Sequence, residues 1–500
     1  MSGIRSNPQV KIRPFPFGDF QGLDSSRDIT ALDTGKGQHF VRMNNCFCDW
    51  RGQIVREASV EQRVQANVIN HINFINKNEL VWAERTGSGL TFASERDLIL
   101  ADAYPNNAII TSTVFNQRVH FTSRAMRSYY YDGTKWTANS SPSLNLLRPA
   151  YITSIQRRLA VAGITGRDTE VHLSRVDQDQ IFPDDDDLES TNVLRAAKID
   201  VANLLGTADA ITGLATFETN RLVVFTSDKA ILYRVDPDIN NWTLDERASI
   251  NTGCISHNTI QAAGTDVLFC SRQGINSIKR SVDNGIMVYS YSLSDKVDIL
   301  YRQLVASVAD TEEISAVFDQ DEGRYHIFFP QANSLLCTRL SLSLNAEGGE
   351  PQPKFSTGTF LNARCGAFLA GRLVYGTPGG IYNVNKVEDA IGIAPDMEAV
   401  TPFLWHGSLT DTKETMSITL QASGKGTIIM DAKDDQGRTI GSLRFEVDEA
   451  DDNRFPGVPL SRQYERKWEH RYRGATYRFR TEGGASLLRI SGFAVNVRQS

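Results

Sequence analysis

Seven short segments repeat one pattern along the chain: a polar or charged residue, a β-branched or aromatic run, a turn, then a second apolar run. They read Glu79-Leu-Val-Trp-Ala, Arg118-Val-His-Phe-Thr, Arg158-Leu-Ala-Val-Ala, Arg221-Leu-Val-Val-Phe-Thr, Asp266-Val-Leu-Phe-Cys, Arg324-Tyr-His-Ile-Phe-Phe and Arg372-Leu-Val-Tyr-Gly. From Leu80 through Val119, Leu159, Leu222, Val267, Tyr325 and Leu373 the steps are 39, 40, 63, 45, 58 and 48 residues. Their mean, about 49, is close to the ~40–50 residues of one β-propeller blade. Thr86-Gly-Ser-Gly, Ser227-Asp-Lys, Arg272-Gln-Gly and Thr377-Pro-Gly-Gly separate strand-like runs with hairpin chemistry. Leu222 to Phe225 and Ile327 to Phe329 are continuously apolar, as expected of sheets buried on both faces. A large β-sandwich or β-solenoid would show similar runs, and the spacing favours the propeller.

Two regions depart from this pattern. Val60, Val64, Val68, Ile72 and Ile75 fall near a 3.6-residue period, so residues 60–76 read as one helix, or equally as a strand pair given Asn67, Asn70, Asn73 and Asn76. Beyond about residue 398 strict alternation appears, as in Met416-Ser-Ile-Thr-Leu-Gln-Ala and Ala475-Thr-Tyr-Arg-Phe-Arg-Thr, the mark of strands with one wet face. The expected fold is all-β: a propeller of about seven blades with a C-terminal antiparallel β-sandwich platform domain. The expected domains are residues 1–77 (an N-terminal arm and first strands), 78–398 (propeller) and 399–500 (sandwich).

Composition narrows the function. At 500 residues, 41% hydrophobic and 22% charged, the chain is long enough for two to four domains with ordinary cores. The net charge of -6 argues against a surface that grips nucleic acid throughout, but not against a channel through which a polyanion slides. No apolar run approaches the ~18 residues of a membrane helix. Met1 to Phe20 carries Arg5, Lys11, Arg13 and three prolines and has no apolar core, so it is not read as a secretory signal. Six dispersed cysteines suit a reducing cytoplasm. Cys46 and Cys48 form the one close pair, a metal site or, more simply, two half-buried strand thiols.

Enzymatic signatures are weak. The eight histidines show no metal-binding helical spacing, and there is no nucleophile elbow or phosphate-binding Gly-Lys-Ser/Thr loop. Sialidase blades carry Ser-x-Asp-x-Gly-x-x-Trp turns; Asp132-Gly-Thr-Lys-Trp136 is one residue short of that, and Asp319-Gln-Asp321-Glu-Gly323 lacks the tryptophan. No catalytic residue, cofactor or metal is expected, and the chain reads as a non-enzyme.

Four stretches form a familiar set: Gly253-Cys-Ile-Ser-His-Asn-Thr-Ile-Gln-Ala-Ala-Gly-Thr-Asp-Val-Leu-Phe-Cys-Ser-Arg-Gln-Gly-Ile, Gly213 to Thr226, Asp321 to Pro330, and the closing Tyr477-Arg-Phe-Arg with Leu487 to Phe493. Together they resemble the tail nozzle proteins of short-tailed bacteriophages, also called tail tubular protein B or packaged-DNA stabilisation proteins. Gly22-Leu-Asp-Ser-Ser-Arg-Asp and Arg51-Gly-Gln-Ile-Val-Arg-Glu are similar in kind to that family's N-terminal arm. The resemblance implies a structural virion protein made in the host bacterial cytoplasm. Such proteins form a homo-hexameric ring below the tail adaptor (the head–tail connector), with tail fibres or spikes as further neighbours. They build the distal DNA channel, retain the packaged genome and pass double-stranded DNA at ejection without binding it specifically. The alternative from another class is a sugar-binding or sugar-cleaving propeller of a tail or cell surface.

Within that picture two charge clusters are candidates. Asp184, Asp185, Asp186, Asp187 and Glu189 lie in the longest interval between repeats, as a solvated loop or as lumen-facing acids that repel duplex phosphate. Residues 431–452 hold eight acids against three bases, and residues 453–500 ten bases against three acids. Asp434, Asp435, Asp448 and Glu449 on one side and Arg466, Arg471, Arg473 and Arg478 on the other are the candidate interface charges. Opposite patches on one chain suit a head-to-tail ring contact, and the plainer reading of the arginines is strand-edge charge.

Overall fold

The computed structural model describes residues 12–26, 38–49, 51–87, 89–96, 105–106, 108–186, 191–205, 209–245, 250–280, 287–344, 353–386, 392–406, 412–448, 462–483 and 488–498. The chain divides into two compact units: residues 62–340 with 361–383, and residues 1–61 with 341–360 and 384–500.

The first unit is a β-propeller of seven blades. Leu80, Val119, Leu159, Leu222, Val267, Tyr325 and Leu373 each lie on the second strand of a different sheet, so the sequence repeat is a repeat of one structural position. The innermost strands are Val68–Asn76, Thr111–Phe115, Tyr151–Ile155, Ile211–Phe217, Gln261–Ala263, Ser315–Asp319 and Cys365–Leu369. The second strands are buried at nearly every position because neighbouring blades cover both faces. Ser59–Gln65, which precedes the first blade in the chain, is the outermost strand of the last. Gln62 Nε2 donates to the Gly379 carbonyl at 3.1 Å there, so the start of the propeller is tied to its end.

Side chains close each junction near the axis. Ser112 Oγ meets His71 Nε2 at 2.7 Å between blades 1 and 2, and Thr111 Oγ1 donates to the Ala150 carbonyl at 2.8 Å between 2 and 3. Thr216 donates to Ser154 O (2.6 Å), Thr212 to Cys254 O (2.7 Å), Ser256 to Ile314 O (2.7 Å) and Ser315 to Arg364 O (2.8 Å). Cys365 Sγ to Ile69 O, at 3.9 Å, completes the circuit. The charged residue that opens each repeat unit acts further out. Glu79 accepts from Tyr131 of the next blade at 2.7 Å, and Arg118 pairs with Asp179 at 2.8 Å. The buried Arg158 donates to the Ser174, Arg195 and Pro237 carbonyls at 2.7–2.8 Å, the last on the following blade.

Residues 60–76 hold two strands, Ser59–Gln65 and Val68–Asn76, and no helix. A β-bulge between Ile69 and His71 inserts one residue, so the buried positions Ile69 and Ile72 stand three apart instead of two. The boundary drawn at residue 78 falls in the hairpin between the first and second strands of blade 1. The longer steps come from the connection between Leu173 and Ala197 and from the helix Asp298–Ser307 before blade 6.

The second unit is a β-sandwich to which both ends of the chain contribute. One sheet runs in the order Arg462–Tyr472, Lys413–Gly424, Leu488–Arg498, Ile54–Arg56, Cys46–Cys48, with Ile12–Gly18 paired along Leu488–Arg498. The other runs Lys354–Gly358, Arg42–Asn44, Glu398–Val400, Thr476–Glu482, Gly426–Lys433, Thr439–Val447. Phe493 of the first packs on Phe479 and Tyr477 of the second, with ring centroids 5.1 and 5.4 Å apart. The N-terminal strands are thus part of the sandwich, because the alternating C-terminal strands leave an edge that only a distant segment can cover. Cys46 and Cys48 are fully buried, and burial drives the Cys48 thiol up to about 12, so at neutral pH it is a protonated core side chain.

Candidate functional site

The inner strands enclose an axial cavity of about 330 Å³. His71 reaches it because the bulge re-aims its strand, and Asn73 follows on the same strand. Asn73 Nδ2 donates to Ser112 Oγ at 2.8 Å, and the same hydroxyl lies 2.7 Å from His71 Nε2, so one serine ties the two side chains together. His257 enters from the segment before Gln261–Ala263, and its Nδ1 accepts from the Leu214 N–H at 3.2 Å. Burial lowers the pKa of both histidines to about 4, and for His257 the neighbouring His71 adds to the effect, so both are neutral at pH 7. Each keeps some accessible surface, but that surface is channel wall.

Asn258 and Ser315 continue from this cavity into a smaller polar recess, lined also by Arg85, Glu312, Glu313 and Arg364. Tyr151 Oη donates to Glu312 Oε1 at 2.8 Å, and Arg85 Nη2 lies 3.5 Å from Glu313 Oε1. Glycoside hydrolysis needs one carboxyl as acid and another as base or nucleophile. Glu312 and Glu313 stand side by side, but both are engaged in these pairs. The axial cavity is also far too small for a DNA duplex, whose major groove alone is about 12 Å wide. Any passage for DNA would have to lie outside the propeller axis.

The acids of the long interval organise their own loop. Asp184 pairs with Arg167 at 2.8 Å, Asp185 accepts from Ser141 Oγ at 2.6 Å, and Asp186 accepts from the Ala196 N–H at 2.7 Å with Arg175 at 3.6 Å. Asp187 and Glu189 lie outside the described residues, as does Glu449.

The interface charges meet within one sandwich. Arg462–Tyr472 and Thr439–Val447 are edge strands of the two sheets, so Arg466 and Arg471 lie on an edge, the position where charge deters unwanted pairing. Asp434, Asp435 and Arg478 line one open groove of about 870 Å³ across the outer face of the second sheet. Arg478 is bound to Glu398 at 2.6 Å, Arg480 to Asp431 at 3.0 Å, Arg471 to Glu414 at 3.5 Å and Asp434 to Arg438 at 2.8 Å. Against the upward push of partial burial, hydrogen bonds from Ser442 and Arg480 hold Asp431 below the usual carboxylate range. Arg473 and Asp448 are exposed, with no ion pair to another described residue. The acidic and basic stretches therefore neutralise one another in part inside the chain, because antiparallel pairing brings residues 426–447 beside 476–482. A run of acids followed by a run of bases does not disclose that pairing. The axial residues also escaped the sequence reading. Their only signal was a polar residue inside an apolar inner strand, such as His71, Asn73 or Ser112.

No family model and no curated protein matches the chain. Among solved structures it is similar to Raptor from Chaetomium thermophilum, at 13% identity over 66% of this chain, with TM-score 0.39; the match spans 29% of that protein. It is also similar to a catalytically inactive virginiamycin B lyase from Staphylococcus aureus with quinupristin, at 10% identity over 67% of this chain and 99% of that one, TM-score 0.38. The WD40 domain of SCAP from fission yeast matches at 10% identity over 85% of this chain and 98% of that one, TM-score 0.29. Among the described residues no helix is long and apolar enough to cross a membrane.

Proposed function

We propose that this chain is a structural subunit of a phage tail nozzle, a virion protein that forms a homo-hexameric ring beneath the tail adaptor, retains the packaged genome and passes it at ejection. The observation that carries the reading is the pairing of a closed seven-bladed propeller with a β-sandwich, the combination implied by the resemblance of Gly253 to Ile275 and its companion segments. Side-chain bonds at all seven blade junctions support a rigid building block rather than a unit that opens and closes. In this reading the DNA path runs between subunits, and the channel is a property of the ring. Exposed charges such as Arg473 then govern encounter and register more than affinity.

The test is negative-stain imaging and light scattering of the purified protein, alone and with its adaptor, across a salt series. Six-fold rings are expected, forming more slowly as salt rises, since exposed charges are screened beyond ~10 Å at 0.1 M. Arg473→Glu should slow assembly while leaving the monomer folded. It is a cleaner probe than Arg478→Glu, which would place two carboxylates together within the sandwich. Monomers at every concentration and salt, with or without adaptor, would refute the reading.

A further inference from the structure

We propose that the axial cavity of the propeller is a binding site for a neutral saccharide of one or two rings. The proposal rests on the cavity's lining and is independent of whether the chain assembles into a ring.

Among the described residues no lysine, arginine, aspartate or glutamate lines the cavity, and both histidines are held neutral. An anion or cation entering it would lose its hydration without gaining a counter-charge, which excludes charged ligands. The polar groups that remain are suited to hydroxyls. The side chains of Gln261 and Gln320 line the cavity and make no hydrogen bond to another described residue, so each offers a carbonyl oxygen and an amide donor. Asn258 spends its Nδ2 on the Ile110 carbonyl at 3.0 Å and keeps Oδ1 as an acceptor. His71, whose Nε2 is occupied by Ser112, has Nδ1 as its second polar atom. A hydroxyl both donates and accepts, and so matches this mixture better than a ligand with only one kind of group.

The rest of the lining is apolar. Phe318 and Phe368 come from neighbouring inner strands, and Ile72 and Ile260 join them. Aromatic rings beside a few placed polar groups form a surface on which the C–H face of a pyranose packs while its rim of hydroxyls reaches the amides. The volume, about 330 Å³, is at the small end of ligand sites, enough for one or two sugar rings and too little for a chain. With no carboxylate in the lining, the site is one for recognition and not for cleavage.

The experiment is saturation-transfer NMR followed by calorimetry on the full chain, with glucose, galactose, N-acetylglucosamine, maltose and lactose as probes and acetate and inorganic phosphate as charged comparators. At least one sugar should bind and neither anion should. Gln261→Ala and Gln320→Ala should each weaken binding roughly five- to twentyfold, the loss expected for one or two hydrogen bonds. Ala262→Trp should abolish it, because Ala262 lines the cavity from an exposed position where a larger side chain occupies ligand space without entering the core. Near-ultraviolet circular dichroism checks that the variants keep the native fold. Failure of all five sugars to bind the wild-type protein would overturn the proposal, and so would binding that survives Ala262→Trp in a folded variant.

Discussion

Phe225→Ala tests the packing between blades most directly. Phe225 is completely buried on the second strand of blade 4 and stacks at a tilt on Phe269 of blade 5, ring centroids 4.9 Å apart. Its cross-strand neighbours are Gly213 on one side, with Ile260 packed over it, and Ala230 on the other. Removing it forfeits about 2–3 kcal/mol of transfer free energy. The two small neighbours have no side chain with which to fill the void, so roughly 100 Å³ of cavity at ~24 cal/mol per Å³ adds about 2 kcal/mol before relaxation. Partial collapse of Val223, Leu232 and Ile278, which share the cluster, returns some of this. The expected cost is therefore about 3–5 kcal/mol. Urea denaturation followed by tryptophan fluorescence measures it, and because the chain has two compact units the transitions are fitted separately. Val114→Ala, at a 41% exposed position, serves as a control with little expected change. A loss below about 1 kcal/mol with an unchanged m-value would refute inter-blade burial of this ring.

Other outcomes follow from the polar groups. Arg158→Leu should destabilise the propeller by about 2–4 kcal/mol in the same assay, because it leaves the Ser174, Arg195 and Pro237 carbonyls without their donor. Against burial, His120 at 3.3 Å and a hydrogen bond from Arg118 hold Asp179 at about 2 instead of 3.8. A depressed carboxylate stabilises above its unfolded value, so this contribution should be present above pH 4 and lost as pH falls from 3.8 towards 2; urea midpoints from pH 2 to 7 should show Asp179→Asn losing about 1–2 kcal/mol of stability at pH 7 and little near pH 2. All six cysteines are buried, and burial pushes Cys254 up to about 11 and Cys270, Cys337 and Cys365 to about 12, so Ellman's reagent should modify none of them in the native protein at pH 7–8 and all six in denaturant.

The spacing of seven apolar runs was enough to place the second strand of every blade, because that strand is buried on both faces and its composition depends on burial alone. The hairpin turns were legible for a related reason: Gly87 and Gly89, or Pro378 and Gly379, sit in turns whose local chemistry needs no partner. What the chain could not disclose was any pairing over long separation. Ser59–Gln65 closes the last blade, Ile12–Gly18 lies along Leu488–Arg498, and a bulge between Ile69 and His71 shifts the face of the first inner strand, all settled by tertiary contacts. The charges illustrate the same limit. Asp431 and Arg480 stand far apart in an acidic and a basic stretch, yet antiparallel register sets Asp431 beside Arg478, and Arg480 reaches its carboxylate. The axial cavity is the clearest case: His71, Ser112, Asn258, Gln261 and Gln320 come from four blades, and only the closure of seven sheets around one axis brings them to the same few hundred cubic ångströms.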